Sequence, residues 1–150
     1  MVNSIGTHIK VSNFEDSIKF YEALGFTRVF EYGPGKEIKE AYSGVVFEHG
    51  GCKLEIADGH RAVKPEVFSS RMENSKISLM VSVDSLSEVI EKCATADIDI
   101  TVPVRHYYWG TLELVVTDPD GVVLVFICPY SEEEAQKVGA DETWAIQPEL

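Results

Sequence analysis

The sequence is short of what several functions require. Its three cysteines, Cys52, Cys93 and Cys128, are odd in number and lack CxxC spacing. Neither a disulfide framework nor a thiolate metal knuckle is expected, and buried thiols in a reducing compartment are the simpler reading. No apolar run approaches the roughly 20 residues of a membrane span. No charged, then apolar, then small-residue leader opens the chain, so a cytoplasmic protein with no membrane association is expected. Basic residues are scarce: 13 Lys and Arg stand against 25 Asp and Glu, a net charge of −12. That balance argues against nucleic acid, which needs clustered cations to displace its counterions. Much of the acidic excess is local, at Glu132, Glu133, Glu134, Asp141, Glu142 and Glu149, so charge alone says little about a ligand. The serines show no nucleophile elbow, and Gly33-Pro34-Gly35 lacks the Lys-Ser/Thr of a phosphate loop.

What is present is a repeat within 150 residues. VSNFEDSIKFYEALGF begins at Val11 and VDSLSEVIEKCATADI at Val83, each after an apolar strand pattern. Ser12-x-x-Glu15 and Ser85-x-x-Glu88 fit capping boxes. Phe14, Ile18, Tyr21 and Leu24, then Leu86, Val89 or Ile90, and Cys93, recur at helical spacing and predict one sheet-facing side for each helix. Three strand-like runs follow each helix: FTRVFEY, AYSGVVFEH and CKLEIAD, then IDITVPV, GTLELVVT and GVVLVFI. The turns HGG and DPDG close the last hairpin of each set. The prediction is an α+β chain of two βαβββ modules, residues 1–60 and 77–130. Residues 61–76 form a linker with a turn of helix, and residues 131–150 an acidic C-terminal helix with a loose end. A period of about 70 residues is too long for a solenoid and fits a duplicated module.

V-S-N-F-x-x-S-I-x-F-Y-x-x-L-G-F, paired with W-G-T-L-E-L-V-V-T-D-P-D-G, resembles the vicinal oxygen chelate superfamily. That group includes glyoxalase I, bleomycin-resistance proteins, fosfomycin-resistance enzymes and extradiol dioxygenases. The resemblance runs to about Pro129. It implies that the modules curl into a U-shaped mixed sheet around a cavity, that the chain forms a homodimer, and that antibiotic resistance is among the roles to weigh. Fold alone gives a site location and not a reaction.

In metal-dependent members, the resemblance implies ligands five residues before the valine that precedes each helix and four residues after each closing turn glycine. Counting gives Gly6, Ser78, Glu55 and Val125. Only Glu55 is of ligand type, whereas catalytic sites ordinarily use three or more protein donors. A cavity without a metal cofactor is the leading reading. A divalent metal held by His8 and Glu55 is the alternative.

His8 lies two residues beyond Gly6 and shares its face, one pleat (~7 Å) along. It is either a ligand contact, acid or base, or a structural histidine bonded to a neighbour. The same alternation sends Gly6, His8, Lys10, Lys53 and Glu55 to the cavity, opposite Ile9, Val11, Leu54 and Ile56. In the second module it sends Ser78, Met80, Ser82, Thr111, Glu113, Val115, Val123 and Val125 there. Ile77, Leu79, Val81, Leu112, Leu114, Val116, Leu124 and Phe126 then form the core. In RHYYWG, His106 is placed on a loop, and Tyr107, Tyr108 and Trp109 near the rim. These rings either stack on a planar or cationic ligand or pack an interface. The candidate ligand-binding residues are therefore His8, Glu55, Met80, Tyr107, Trp109, Glu113 and Val125. Carboxylates at 55 and 113 favour a cationic or hydrogen-bond-donating ligand.

Three readings stand: a metal-free protein that sequesters an aromatic or cationic small molecule, as bleomycin-resistance proteins do; a metal-dependent lyase or dioxygenase with a rearranged site; and a metal-free enzyme with His8 or a carboxylate as base. Whether the chain is an enzyme is open at this point.

Overall fold

The computed structural model describes residues 1–150. The chain divides into two compact units, Met1–Met72 and Glu73–Leu150. In the first, β1 (Gly6–Lys10) leads into α1 (Phe14–Ala23), then β2 (Arg28–Tyr32), β3 (Gly44–His49) and β4 (Cys52–Ala57). A single helical turn, α2 (Glu66–Ser69), follows and buries Phe68. The second unit repeats the order with β5 (Ser78–Ser82), α3 (Leu86–Thr95), β6 (Ile100–Tyr107), β7 (Thr111–Thr117) and β8 (Val123–Pro129). It adds α4 (Glu132–Val138) and a 3-10 turn, Glu142–Ala145.

Each unit carries one four-stranded sheet, ordered β1-β4-β3-β2 and β5-β8-β7-β6. The first and last strands of each module pair in parallel, and the other neighbours are antiparallel. The α+β class and the duplicated βαβββ order are thus as the sequence predicts.

Strand alternation sets the two faces. In the first sheet, Ile9, Val11, Val45, Phe47, Leu54 and Ile56 are buried, against Ile18, Phe20 and Tyr21 of α1. Tyr21 is fully enclosed, edge-on to Phe20 and Phe26. In the second, Leu112, Leu114, Val116, Leu124 and Phe126 are buried, as are Leu86, Val89 and Cys93 of α3. Each large apolar side chain taken out of water contributes about 1.5–3 kcal/mol, which fixes which face is inward and so the strand register. Ile77 departs from the predicted core set and is exposed. β5 begins only at Ser78, paired with Val123, so Ile77 has no strand to lie against.

The helix starts differ from the capping-box reading. Asn13, not Ser12, caps α1, its side-chain oxygen accepting the Asp16 N–H at 3.0 Å. Ser85 caps α3 as predicted. The carboxylate of Glu88, however, turns to Lys92 one turn on. The reciprocal role falls to Glu134 of α4, which accepts from the Ser87 N–H at 2.7 Å and the Ser85 hydroxyl at 2.9 Å. These donors hold its carboxyl below the usual range.

The predicted C-terminal helix is α4, and the chain beyond it docks through Asp141–Trp144 before an exposed end at 146–150. Asp141 forms a bridge with Arg105, and the His106 N–H donates to the Asp141 carbonyl at 3.0 Å. The Arg105 guanidinium lies 4.2 Å over the Trp144 ring, a favourable cation–π distance. The DPDG turn is held from within: Asp118, buried, accepts from the N–H groups of Asp120 and Val122.

Candidate functional site

The face of the first sheet turned away from α1 carries the chemistry of that module. The parallel pairing of β1 and β4 sets His8 directly opposite Glu55, and Val46 and Phe30 continue the same row across β3 and β2. His8 Nδ1 lies 3.2 Å from Glu55 Oε2, with the two side chains 22% and 33% exposed. A carboxylate only accepts, so the facing nitrogen is the one that carries the ring proton. The other nitrogen, Nε2, is shielded from solvent and has no hydrogen-bond partner. Burial pushes the imidazole pKa below its ordinary value, over the opposing pull of Glu55, with Lys10 and His60 adding to the lowering. Burial thus favours the neutral imidazole, and the Glu55 contact favours the tautomer whose lone pair is on Nε2.

Tyr32, Tyr42 and His60 join this face, and the alternation argument did not select them. The Tyr32 ring crosses β3 where Gly44 offers no side chain; a Cβ there would sit 2.0 Å from the ring. Tyr42 meets Tyr32 edge-on at 5.8 Å, and the His60 ring lies 5.3 Å from that of His8. Burial first, then the negative charge of Glu55, pushes the Tyr32 phenol up to about 12. The available signal was Gly44, a glycine inside a strand pattern, which marks a close approach. The remaining histidine of the module is structural, since His49 Nε2 accepts the Thr27 N–H at 2.8 Å.

A pocket of about 370 Å³, lined by Arg28, Val29, Phe30, Glu31, Glu37 and Ile38, sits at the β2 edge. That is the opposite edge of the sheet from His8. Its cation is already used, because Arg28 is paired with Glu22 and Glu31.

In the second module the equivalent register sets Met80 opposite Val125, and Met80 is largely exposed. Glu113 accepts from the Trp109 indole N–H at 2.9 Å and from the Thr111 hydroxyl. Trp109 stacks on Tyr107 with centroids 4.4 Å apart. Glu113, Trp109 and Tyr107 therefore form one connected cluster, with Trp109 itself 55% exposed. His106 is not on a loop: β6 runs on through Tyr107. Its ring stacks on Tyr130 at 3.8 Å, and Nδ1 lies 2.5 Å from the Glu142 carboxylate. Docking of the C-terminal segment uses that histidine.

The side chains at the counted positions do not fit a transition metal. Gly6, Ser78 and Val125 offer no donor of the usual kind. His8 and Glu55 supply two, and nowhere do three His, Cys, Asp or Glu side chains gather to hold an ion.

Known proteins give this geometry a place. Comparison with curated proteins finds no match. Among solved structures, FosX of Listeria monocytogenes is similar with a TM-score of 0.67 at 13% identity, covering 91% of this chain and 99% of that one. FosX is a fosfomycin resistance protein, here a mutant complexed with Mn(II) and 1S,2S-dihydroxypropylphosphonic acid. A glyoxalase/bleomycin resistance protein/dioxygenase from Nocardioides matches with a TM-score of 0.63 at 17% identity, covering 88% and 86%. SMU.1112c matches at 0.65 and 20%, covering 85% and 99%. At such identities the likeness is one of fold. The family model for the Glyoxalase/Bleomycin resistance protein/Dioxygenase superfamily matches residues 3–126. With its two βαβββ modules, the chain belongs to that superfamily.

Proposed function

We propose that this protein is a metal-free small-molecule-binding member of its superfamily, and that it sequesters an aromatic compound against the open faces of its sheets. The observation that carries the reading is the pairing of His8 with Glu55. The one carboxylate at a counted ligand position has a neighbouring imidazole at 3.2 Å and no third donor. Two donors fall short of the three or more protein ligands that catalytic transition-metal sites ordinarily use. Tyr32, Tyr42 and His60 in the first module, and Tyr107 and Trp109 in the second, supply flat apolar surface with polar edges. Such surface suits planar organic ligands.

The cationic ligand class gains less support than the aromatic one. Glu55 faces His8, and Glu113 already accepts two hydrogen bonds from its own module, so neither carboxylate stands ready as a counter-ion. A homodimer is part of the proposal, by analogy with the superfamily.

The test is metal analysis of protein purified without chelators, joined to a thermal-shift series with Zn²⁺, Mn²⁺, Fe²⁺ and a panel of small phenols and aromatic ammonium ions. Metal content below ~0.2 equivalents is expected, with stabilisation by aromatic probes and not by metal. Stoichiometric metal uptake with a large rise in melting temperature would replace this reading with the metal-dependent one.

A further inference from the structure

We propose that His8 is the hydrogen-bond acceptor of the first module's open face, and that its Nε2 receives a weakly acidic O–H or N–H, of phenol or imide type, from an aromatic ligand. This rests on the small-molecule-binding reading and specifies the class of molecule bound.

The argument begins with proton placement. Glu55 stands 3.2 Å from Nδ1 and can only accept, so the ring proton belongs on that nitrogen and the lone pair on Nε2. Nε2 is shielded and unpartnered in the protein itself. A buried acceptor left unmade is unfavourable, and a ligand donor relieves it whereas an apolar group does not. Glu55 thereby acts as a positioning residue: it selects the tautomer and compensates positive charge on the ring when a donor's proton shifts toward it.

Two cations on this face have the sign that such a ligand needs. Lys10 follows His8 by two residues on the same face, with its ammonium group donating to the His8 carbonyl. Lys53 lies two residues before Glu55 on that face and is paired with Gly6. Both lysines favour a ligand whose donor oxygen or nitrogen gains negative charge as its proton moves to His8. The His60 ring lies 5.3 Å from that of His8; it sits between β4 and α2 outside the regular elements, its Nδ1 accepting the Ala62 N–H. His60 and, close enough to Glu55 to feel its charge, Tyr32 are aromatic groups beside the pair.

The probes are 4-nitrophenol and 4-nitroanisole, which share a ring and a nitro group and differ in the donor. Titrations of the full chain followed by absorbance and calorimetry are expected to show the phenol binding on the order of tenfold more tightly. In the bound state its spectrum is expected to shift toward the phenolate. His8→Phe should bring the two affinities together by weakening the phenol alone. Glu55→Gln, which accepts or donates, should reduce the preference by releasing the tautomer. Because either variant risks misfolding, the wild-type protein supplies an independent measurement: ¹⁵N NMR of the imidazoles should find His8 protonated at Nδ1 and bare at Nε2. A protonated Nε2 would overturn the proposal. Equal affinities for the two probes would overturn it as well while leaving the binding reading intact. Failure of both probes to bind, together with stoichiometric metal uptake, would remove the two together.

Discussion

Gly44 gives the most direct check on the geometry of the first module's open face. A methyl group built at this position would lie 2.0 Å from Tyr32 Cζ and 2.3 Å from its hydroxyl oxygen. Those separations are far inside van der Waals contact, so Gly44→Ala forces the Tyr32 ring off the sheet. The backbone at Gly44 is not in the left-handed region, since no positive φ occurs there. The effect is therefore steric and not conformational. Overpacking of this kind costs about 1–3 kcal/mol. For a chain of 150 residues that corresponds to a drop of roughly 2–12 °C in melting temperature.

The specific readout is the Tyr32 phenol, which burial and Glu55 push up to about 12. Difference titration at 295 nm, wild type minus Tyr32→Phe, isolates this one group among six tyrosines. In the Gly44→Ala background the ring moves into water, and its ionisation should return toward about 10. The folded value lies above the unfolded one, so the neutral phenol is the form the fold favours. Its contribution to stability is present below pH ~10 and is lost as pH rises toward 12. Adding Tyr32→Ala to Gly44→Ala should recover part of the lost stability, because the clashing ring is gone. If Gly44→Ala leaves both the melting temperature and the late-titrating phenol unchanged, the ring does not cross β3 at this residue, and Tyr32 leaves the site.

Two further outcomes follow from named contacts. His8 is held below its ordinary pKa chiefly by burial, so its contribution to stability is present above pH ~6.5 and lost as pH falls through the lowered value; His8→Gln should flatten that part of an acid denaturation curve, and an unchanged curve would count against a buried neutral imidazole. Glu134→Ala removes the acceptor for the Ser87 N–H and the Ser85 hydroxyl at the start of α3; loss of a cap costs about 0.5–2 kcal/mol, which urea denaturation should register as a lower midpoint at constant slope.

The duplicated frame was legible in the sequence because it rests on period. Apolar residues at 3.6 spacing in FEDSIKFYEA and LSEVIEKCAT and at spacing 2 in TLELVVT admit one inward face each. The buried sets Ile18–Tyr21 in α1 and Leu112–Leu114–Val116 in β7 follow from it. The facing of His8 and Glu55 was legible for the same reason, but their contact was not. It depends on the parallel offset of β1 on β4, which pairs residue 8 with residue 55, and no local pattern encodes an offset between strands 47 residues apart. Tyr32 was missed because its position depends on a glycine one strand away, and Tyr42 because it lies against Gly59, beyond the end of β4. The docking of residues 141–144 was not legible, because composition announces only solubility. That docking depends on a few specific groups, Asp141, Glu142 and Trp144, meeting Arg105 and His106.

The duplication also explains why the polar site sits in one module. Both halves set the third residue of their first strand against a residue of their last, His8 on Glu55 and Met80 on Val125. The backbone frame is thus repeated, but the first copy carries a charge-coupled imidazole where the second carries a thioether against a valine. Methionine and valine at that pair provide adaptable apolar contact and no proton chemistry. The second module's one buried-side carboxylate candidate, Glu113, is satisfied by Trp109 and Thr111, which leaves it little capacity to act as a base. Taken separately, the first module's pair can exchange a hydrogen bond with a donor group, and the second module's pair offers apolar contact alone. That division makes a sharp prediction about Met80→His with Val125→Glu, which copies the first module's pair into the second. If the frame alone determines the geometry, ¹⁵N NMR should find the new histidine with its proton on Nδ1, as for His8. A new imidazole protonated on Nε2 would show that the burial and neighbours around His8, rather than strand register, select its tautomer.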